Sequence, residues 1–325
     1  MESGARASAA WAVAGHAESR AHTNGEATAI LAGMRICFLG FGLIAGSIAR
    51  AVRANPSSAD WVIAAWSPSG NGPSQALVDG TVQLAAGSPS EGLRRTDLVV
   101  LAAPVPANLA LLEELAGPWR SELPAGATIT DVASTKWAMV RRADALGLPF
   151  VGGHPMAGME TAGYGAGRAD LFIGRPWVVV PGTVAGPADV EQVGALIEAC
   201  GGERMEMDAE SHDRVVAGIS HLPLLLAAAL AESVAGGDSN ERRGDWAAAS
   251  RLAATGWRDM TRLARGDPRM GAGIAATNAP ALAERLRDLR AVLEDWQAAL
   301  EAPGGPDPIA IEDRLRAARA RLESS

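Results

Sequence analysis

An α/β fold, a doubly wound parallel sheet followed by an all-helical region, is the class that this 325-residue sequence predicts. Three observations predict it. Residues 34–53 read as a short apolar strand, a glycine turn and a helix. Strand-length apolar runs then alternate with helical segments as far as residue 208. Beyond it the strand signals stop, and long Ala- and Leu-rich segments of helical period take over.

The glycine turn organises the rest. Arg35–Leu39 is an apolar run of strand type, and Gly40-Phe41-Gly42-Leu43-Ile44-Ala45 matches G-x-G-x-x-G/A. Ile44, Ile48, Ala49 and Val52 follow at helical spacing. The first glycine permits the turn, the second lets backbone approach a pyrophosphate, and the small third residue lets the helix pack on its strand. The helix start offers unpaired N–H groups and the positive end of its dipole to phosphates. The expectation is a dinucleotide held on Gly40, Gly42, Leu43 and Ile44, with Ala103 and Pro104 after a later strand. A turn that only packs a strand on a helix, or a methyltransferase glycine loop, are the alternatives.

In chain order, strands are predicted at Trp61–Trp66, Asp97–Ala103, Ala127–Asp131, Phe150–Gly153, Trp177–Pro181 and Arg204–Met207. Helices are expected near 107–116 and 190–199, and another after Ser134-Thr135-Lys136. The helical region divides into about 209–235, 244–265 and 272–300, with breaks at Gly236–Asn240 and Arg265–Pro268. The units are therefore a disordered extension over 1–33, a nucleotide domain over 34–208, a helical domain over 209–302 and a charged amphipathic tail over 303–325. Residues 9–15 are too weakly apolar for a signal peptide, and because Met34 sits where glycine-turn enzymes often begin, a misplaced start is the alternative reading of residues 1–33.

Composition narrows the partners. A net charge of −8 disfavours nucleic acid and anionic membranes, and no apolar run approaches the roughly 18 residues of a membrane span. Cys37 and Cys200 have no metal or redox spacing, so no metal is expected and the reducing cytoplasm is the expected compartment. Lys136 is the only lysine, which reads as genomic base bias.

Ligands bind beyond the carboxyl ends of parallel strands, where Ser67, Ser134 and His154 fall. His154 ends a strand among glycines and suits proton transfer near neutral pH; a histidine that merely caps a turn is the plain alternative. Ser134 reads first as a helix cap. His221 and His212 are nine positions apart, half a turn out of phase at 100° per residue, so only one should face a cleft. Pro223 implies a kink that favours His221. Arg258, Arg262 and Arg265, at i, i+4 and i+7, form one basic stripe suited to an anionic ligand, unless it is a solvated face or Asp259 pairs with Arg262.

Together these segments resemble the prephenate/arogenate dehydrogenase family of tyrosine biosynthesis. The resemblance runs over 34–300. It rests on GFGLIAGS at 40–47, Asp131–Lys136, Gly152–Gly158, Leu171–Trp177, HDRVVAGISHLP at 212–223 and Gly256–Thr261, with Ala133 where the family usually has glycine. It implies a Rossmann-type domain, a helical dimerisation domain and a homodimer. It also implies oxidative decarboxylation of a cyclohexadienol with NAD(P)+. By the same resemblance, His154 accepts the ring-hydroxyl proton, Ser134 supports that hydroxyl, His221 lines the cleft, Arg258 binds a carboxylate and Glu160 gates or selects. Ser67 stands where NAD-specific sites carry an acidic residue, a modest lean to NADP+. No segment is expected for a tyrosine-sensing or chorismate mutase domain. Prephenate is the expected substrate and arogenate the alternative, since Glu160 could pair with an ammonium. A non-catalytic dinucleotide sensor, or a β-hydroxyacid or imine reductase, would share the layout; the latter usually has a lysine or aspartate where this chain has histidines.

Overall fold

A computed structural model describes residues 33–236 and 243–323. The extension expected over 1–33 lies outside them up to residue 32, as does the break at Gly236–Asn240 from residue 237. Eight strands form one sheet in the order β3-β2-β1-β4-β5-β6-β7-β8. They are β1 Arg35–Leu39, β2 Val62–Trp66, β3 Leu84–Ala85, β4 Leu98–Leu101, β5 Thr128–Asp131, β6 Phe150–Pro155, β7 Pro176–Pro181 and β8 Glu203–Glu206. The helices of this half are α1 Leu43–Ala54, α2 Asn71–Val78, α3 Pro89–Leu93, α4 Val105–Ala116, α5 Trp137–Ala145 and α6 Pro187–Ala199.

Period two along β1 explains both faces. Ile36 and Phe38 share a buried cluster with Ile48 and Val52 of α1 and Leu196 of α6. Cys37 and Leu39 point the other way, into a cluster with Leu112 of α4 and Met139 of α5. A strand covered on both sides must be apolar at every position, which is why these runs are continuous instead of alternating.

Two sheet expectations need correction. The sheet is mixed: β7 runs antiparallel to β6 and β8 parallel to β7. No crossover helix joins β6 to β7, only a loop with a 3₁₀ turn at Tyr164–Ala166, so the chain re-enters from the end it left. Strand β3 is two residues on an edge, too short to leave a pattern. In addition β6 extends through Pro155, so His154 lies inside a strand, opposite Val178.

The helical half starts with α7 Ala209–Val216, a π turn at Ala217–His221 and α8 Leu222–Ala235. Contrary to the sequence reading, this continuous 27-residue run contains an 18-residue window with a mean hydropathy of 1.7 and is long and apolar enough to cross a membrane by length and composition. Its inward residues His212, Asp213, Ala217 and His221 are buried. The segment expected as one helix over 244–265 is α9 Arg243–Leu252, α10 Thr255–Met260 and a 3₁₀ turn at Arg262–Arg265. The segment over 272–300 is α11 Pro268–Thr277 and α12 Ala279–Leu300, divided at Asn278, and α13 Pro308–Glu323 follows.

Gly40 has φ +92°, and a Cβ there would lie 2.6 Å from the Ala103 nitrogen and 2.7 Å from the Ala102 carbonyl carbon. Gly40→Ala is therefore expected to lower the unfolding free energy in urea by more than about 2 kcal/mol. Gly126→Ala, at φ +85° with open space around it, should lose clearly less.

Candidate active site

A cavity of about 320 Å³ opens beyond the carboxyl ends of β1, β4 and β5, between the sheet and the helical half. Gly42, Leu43, Ile44, Ala103 and Pro104 form one wall, Ser134 and His154 another, and Glu160, Met270 and Ile274 close it. The glycine-turn wall suits a pyrophosphate. No side chain caps α1 and no acidic residue stands in its first turn. A Cβ on Gly42 would meet nothing within 4 Å, so the space above that glycine is open. Gly40 lies beneath, against the Ala102–Ala103 backbone, and Ser67 follows β2 with its Oγ buried and unpartnered.

Asp131, the last residue of β5, is fully buried and ion-paired with Lys136. Lys136 also donates to the Gly153 carbonyl at 2.7 Å. Asp131 accepts from the Gly153 and Ala133 backbone N–H groups at 3.0 and 3.1 Å. Burial drives Asp131 up from the ordinary carboxylate value and Lys136 down from the ordinary amine value, and their mutual attraction opposes both shifts. These bonds lock the chain on either side of His154 and Ser134.

Helix α7 supplies the next layer. Asp213 accepts from the Lys136 and Trp137 backbone N–H groups at 2.8 and 3.0 Å and so caps α5 from another element. His212 Nδ1 lies 2.7 Å from Asp213 Oδ1, and its Nε2 lies 2.8 Å from His154 Nδ1. Asn278 donates to the Asp213 carbonyl at 2.7 Å and contacts His221 Nδ1 at 3.1 Å. Burial, His212, Lys136 and His221 hold His154 well below the ordinary histidine value. Burial lowers His221 to about 4, with Asp213 and the Ser134 backbone opposing and His212 adding to the shift.

The cavity thus brings together Gly42, Leu43, Ile44, Ala103, Pro104, Ser134, His154 and Glu160. His221 lies behind this wall, fully buried. Arg258 is exposed on α10, outside the lining. Three local readings are corrected. Ser134 does not cap a helix, because α5 begins at Trp137 and Asp213 supplies its cap. The arginine stripe is broken because α10 ends at Met260, and Arg262 pairs with Glu160, not Asp259. His212 and His221 are both buried at the site, because the π turn inserts a residue and takes up about 100° of the phase difference. Sequence reasoning passed over Asp131, Lys136, Asp213 and Asn278. A lone lysine five residues from an aspartate, and an aspartate next to His212, were the available signals.

Comparison with known proteins assigns the family. Residues 49–206 match the prephenate dehydrogenase nucleotide-binding domain and residues 208–307 the prephenate dehydrogenase dimerization domain. The chain is 35% identical to a prephenate dehydrogenase of Bacillus subtilis over 77% of this chain and 66% of that protein. It is 30% identical to a cyclohexadienyl dehydrogenase of Zymomonas mobilis over 83% and 89%. The chain therefore spans about two thirds of the Bacillus relative. Among solved structures it resembles Synechocystis arogenate dehydrogenase, with TM-score 0.70 and 28% identity over 89% of this chain and 100% of that one. It shares the fold of an Aquifex aeolicus prephenate dehydrogenase solved with hydroxyphenyl propionate and NAD+, with TM-score 0.76 and 23% identity over 90% and 98%. Matched by both domains of that family over most of its length, this chain belongs to the prephenate dehydrogenase family.

Proposed function

We propose that this chain oxidatively decarboxylates prephenate to 4-hydroxyphenylpyruvate in tyrosine biosynthesis, with NADP+ or NAD+ bound at the glycine turn. One observation carries the reading. His154 lines the same cavity as Gly42, Leu43 and Ile44, with Nδ1 engaged by His212 and Nε2 left for a ligand. When bound, the nicotinamide supplies the hydride acceptor. The protein's part is to hold the ring hydroxyl with Ser134, accept its proton on His154, and exclude water while CO₂ leaves and the ring becomes aromatic. Burial keeps His154 neutral, which suits a base. His221 supports this wall through Asn278.

Arogenate dehydrogenation is the second reading. Glu160 lines the cavity and could meet an ammonium, but its carboxylate is ion-paired with Arg262, which favours prephenate. For Arg258, binding a substrate carboxylate requires movement of α10 or a site shared with a second subunit. The buried, unpartnered Ser67 Oγ could donate to a 2′-phosphate, and no carboxylate stands there to repel one, so NADP+ is favoured. A homodimer in the cytoplasm completes the proposal. Leu252, Met260, Leu293, Leu300 and Ile309 of the helical half are exposed, more apolar surface than a lone subunit usually leaves to water. Buried free Cys37 and Cys200 suit a reducing compartment.

Absorbance at 340 nm for the four pairings of prephenate or arogenate with NADP+ or NAD+ should give the highest kcat/KM for prephenate with NADP+. His154→Asn should lose at least about 10²-fold in kcat and still bind the dinucleotide. No turnover of either substrate, or near-full kcat in His154→Asn, overturns the reading.

A base must be neutral to work, and His154 is held below the ordinary histidine value. The acid limb of kcat should therefore lie below pH 6.5, with activity retained as pH falls through about 6.5 and lost only lower. A limb at or above that value would show that His154 titrates normally. Light scattering at micromolar concentration should give twice the chain mass of 33.4 kDa.

A further inference from the structure

Asp213 is the fixed point of a row of buried hydrogen bonds ending at the cavity. Its Oδ1 accepts the Lys136 N–H at 2.8 Å and its Oδ2 the Trp137 N–H at 3.0 Å. Both donors belong to the start of α5 and cannot reverse. Oδ1 also faces His212 Nδ1 at 2.7 Å. An ionised carboxylate only accepts, so the proton of that contact sits on His212 Nδ1. A neutral imidazole protonated there has a bare Nε2, and that atom lies 2.8 Å from His154 Nδ1. His154 must then donate from Nδ1, which leaves a lone pair on Nε2. The direction of every bond follows from two backbone N–H groups on the far side of the wall.

We propose that Asp213 and His212 are positioning residues that set the tautomer of His154 and draw off the proton it receives. The proposal rests on the reading of His154 as the base. The substrate O–H bond breaks, its electron pair stays on the ring oxygen, and a new N–H bond forms at His154 Nε2. The His154 Nδ1–H bond breaks and that proton passes to His212 Nε2. His212, with hydrogen on both nitrogens, is then a cation against the ionised Asp213, and nothing is oxidised or reduced in the relay. The geometry favours this transfer: a positive charge on His154 is repelled by Lys136, whereas on His212 it lies 2.7 Å from the Asp213 carboxylate. With His212 fully buried and bonded at both nitrogens, neither ring can turn without breaking the row.

The test is ring-nitrogen NMR of the full chain labelled with ¹⁵N-histidine. Five histidines give few signals, and His154→Asn assigns the important one. His154 and His212 are expected as Nδ1–H tautomers. Asp213→Asn removes the carboxylate charge that would receive the His212 cation, so kcat should fall about 10²- to 10⁴-fold at little-changed KM; either amide orientation turns its NH₂ toward one of the two α5 N–H groups. His212→Gln keeps an acceptor for His154 Nδ1 and leaves the α5 cap intact, but cannot take the proton. It should lose at least about tenfold in kcat with dinucleotide affinity unchanged, and it carries the test if Asp213→Asn does not fold. An Nε2–H tautomer of His154 in the unaltered chain, or near-full kcat in His212→Gln, overturns the relay. If His154→Asn abolishes prephenate turnover while His154 is Nε2–H, the relay alone is wrong. If neither substrate turns over while the tautomers are as described, the functional reading fails and the positioning stands.

Discussion

The buried pair of Lys136 and Asp131 is the constraint on which the site depends. Neither side chain touches water, and each is held by backbone as well as by the other. Removing one partner of such a pair typically costs about 3–5 kcal/mol, because the survivor is a charge in a medium that cannot solvate it. The pair joins the end of β5, the strand that bears His154 and the segment that enters α5. A buried charge could have been replaced by an apolar plug of similar size, often without loss of stability. What an apolar plug cannot do is donate to the Gly153 carbonyl and accept from the Gly153 N–H at once, and so hold the residue before His154 from both sides.

The helical half is stitched to the sheet by directional bonds in addition to apolar contact. Asp213 caps α5, Asn278 ties the turn between α11 and α12 to α7, and the Thr135 and Thr277 hydroxyls meet at 2.9 Å. Because α7 reaches α5 through a helix cap, any sliding of the halves would expose unpaired N–H groups at the cavity wall. On the opposite side the loop after β6 is pinned by Tyr164, which stacks on Phe41 of the glycine turn and hydrogen-bonds Thr81 at 2.9 Å. The cavity therefore has one rigid wall and one wall hung from the dinucleotide turn.

What could be read from the sequence is what local pattern encodes. The apolar runs from Arg35, Val62, Leu98, Thr128 and Phe150 are strands because buried two-sided strands need them, and Gly40 and Gly42 announce their backbone. Ser134 and His154 were visible because strand ends aim residues at one rim. The rest depends on distant partners. The direction of β7 is set by a missing crossover, which an apolar run does not report. The phase of His212 and His221 turned on a single inserted residue in the π turn. The cap of α5 comes from a residue 76 positions away, so Ser134, the nearest serine, was the natural wrong choice. Arg262 left its helical stripe for Glu160 across a break that helical periodicity did not reveal.

The single lysine has a practical side. Its amine is enclosed between a carboxylate and a carbonyl with no solvent exposure, a slot for a point donor in which a planar guanidinium would not fit. Reagents that acylate amines therefore find no lysine on the folded chain, whereas arginines are spread over its surface. Amine-directed crosslinking of a native assembly would find no lysine handle, however tight the assembly. The same reagents become a probe of unfolding, since Lys136 is acylated only once the interior opens.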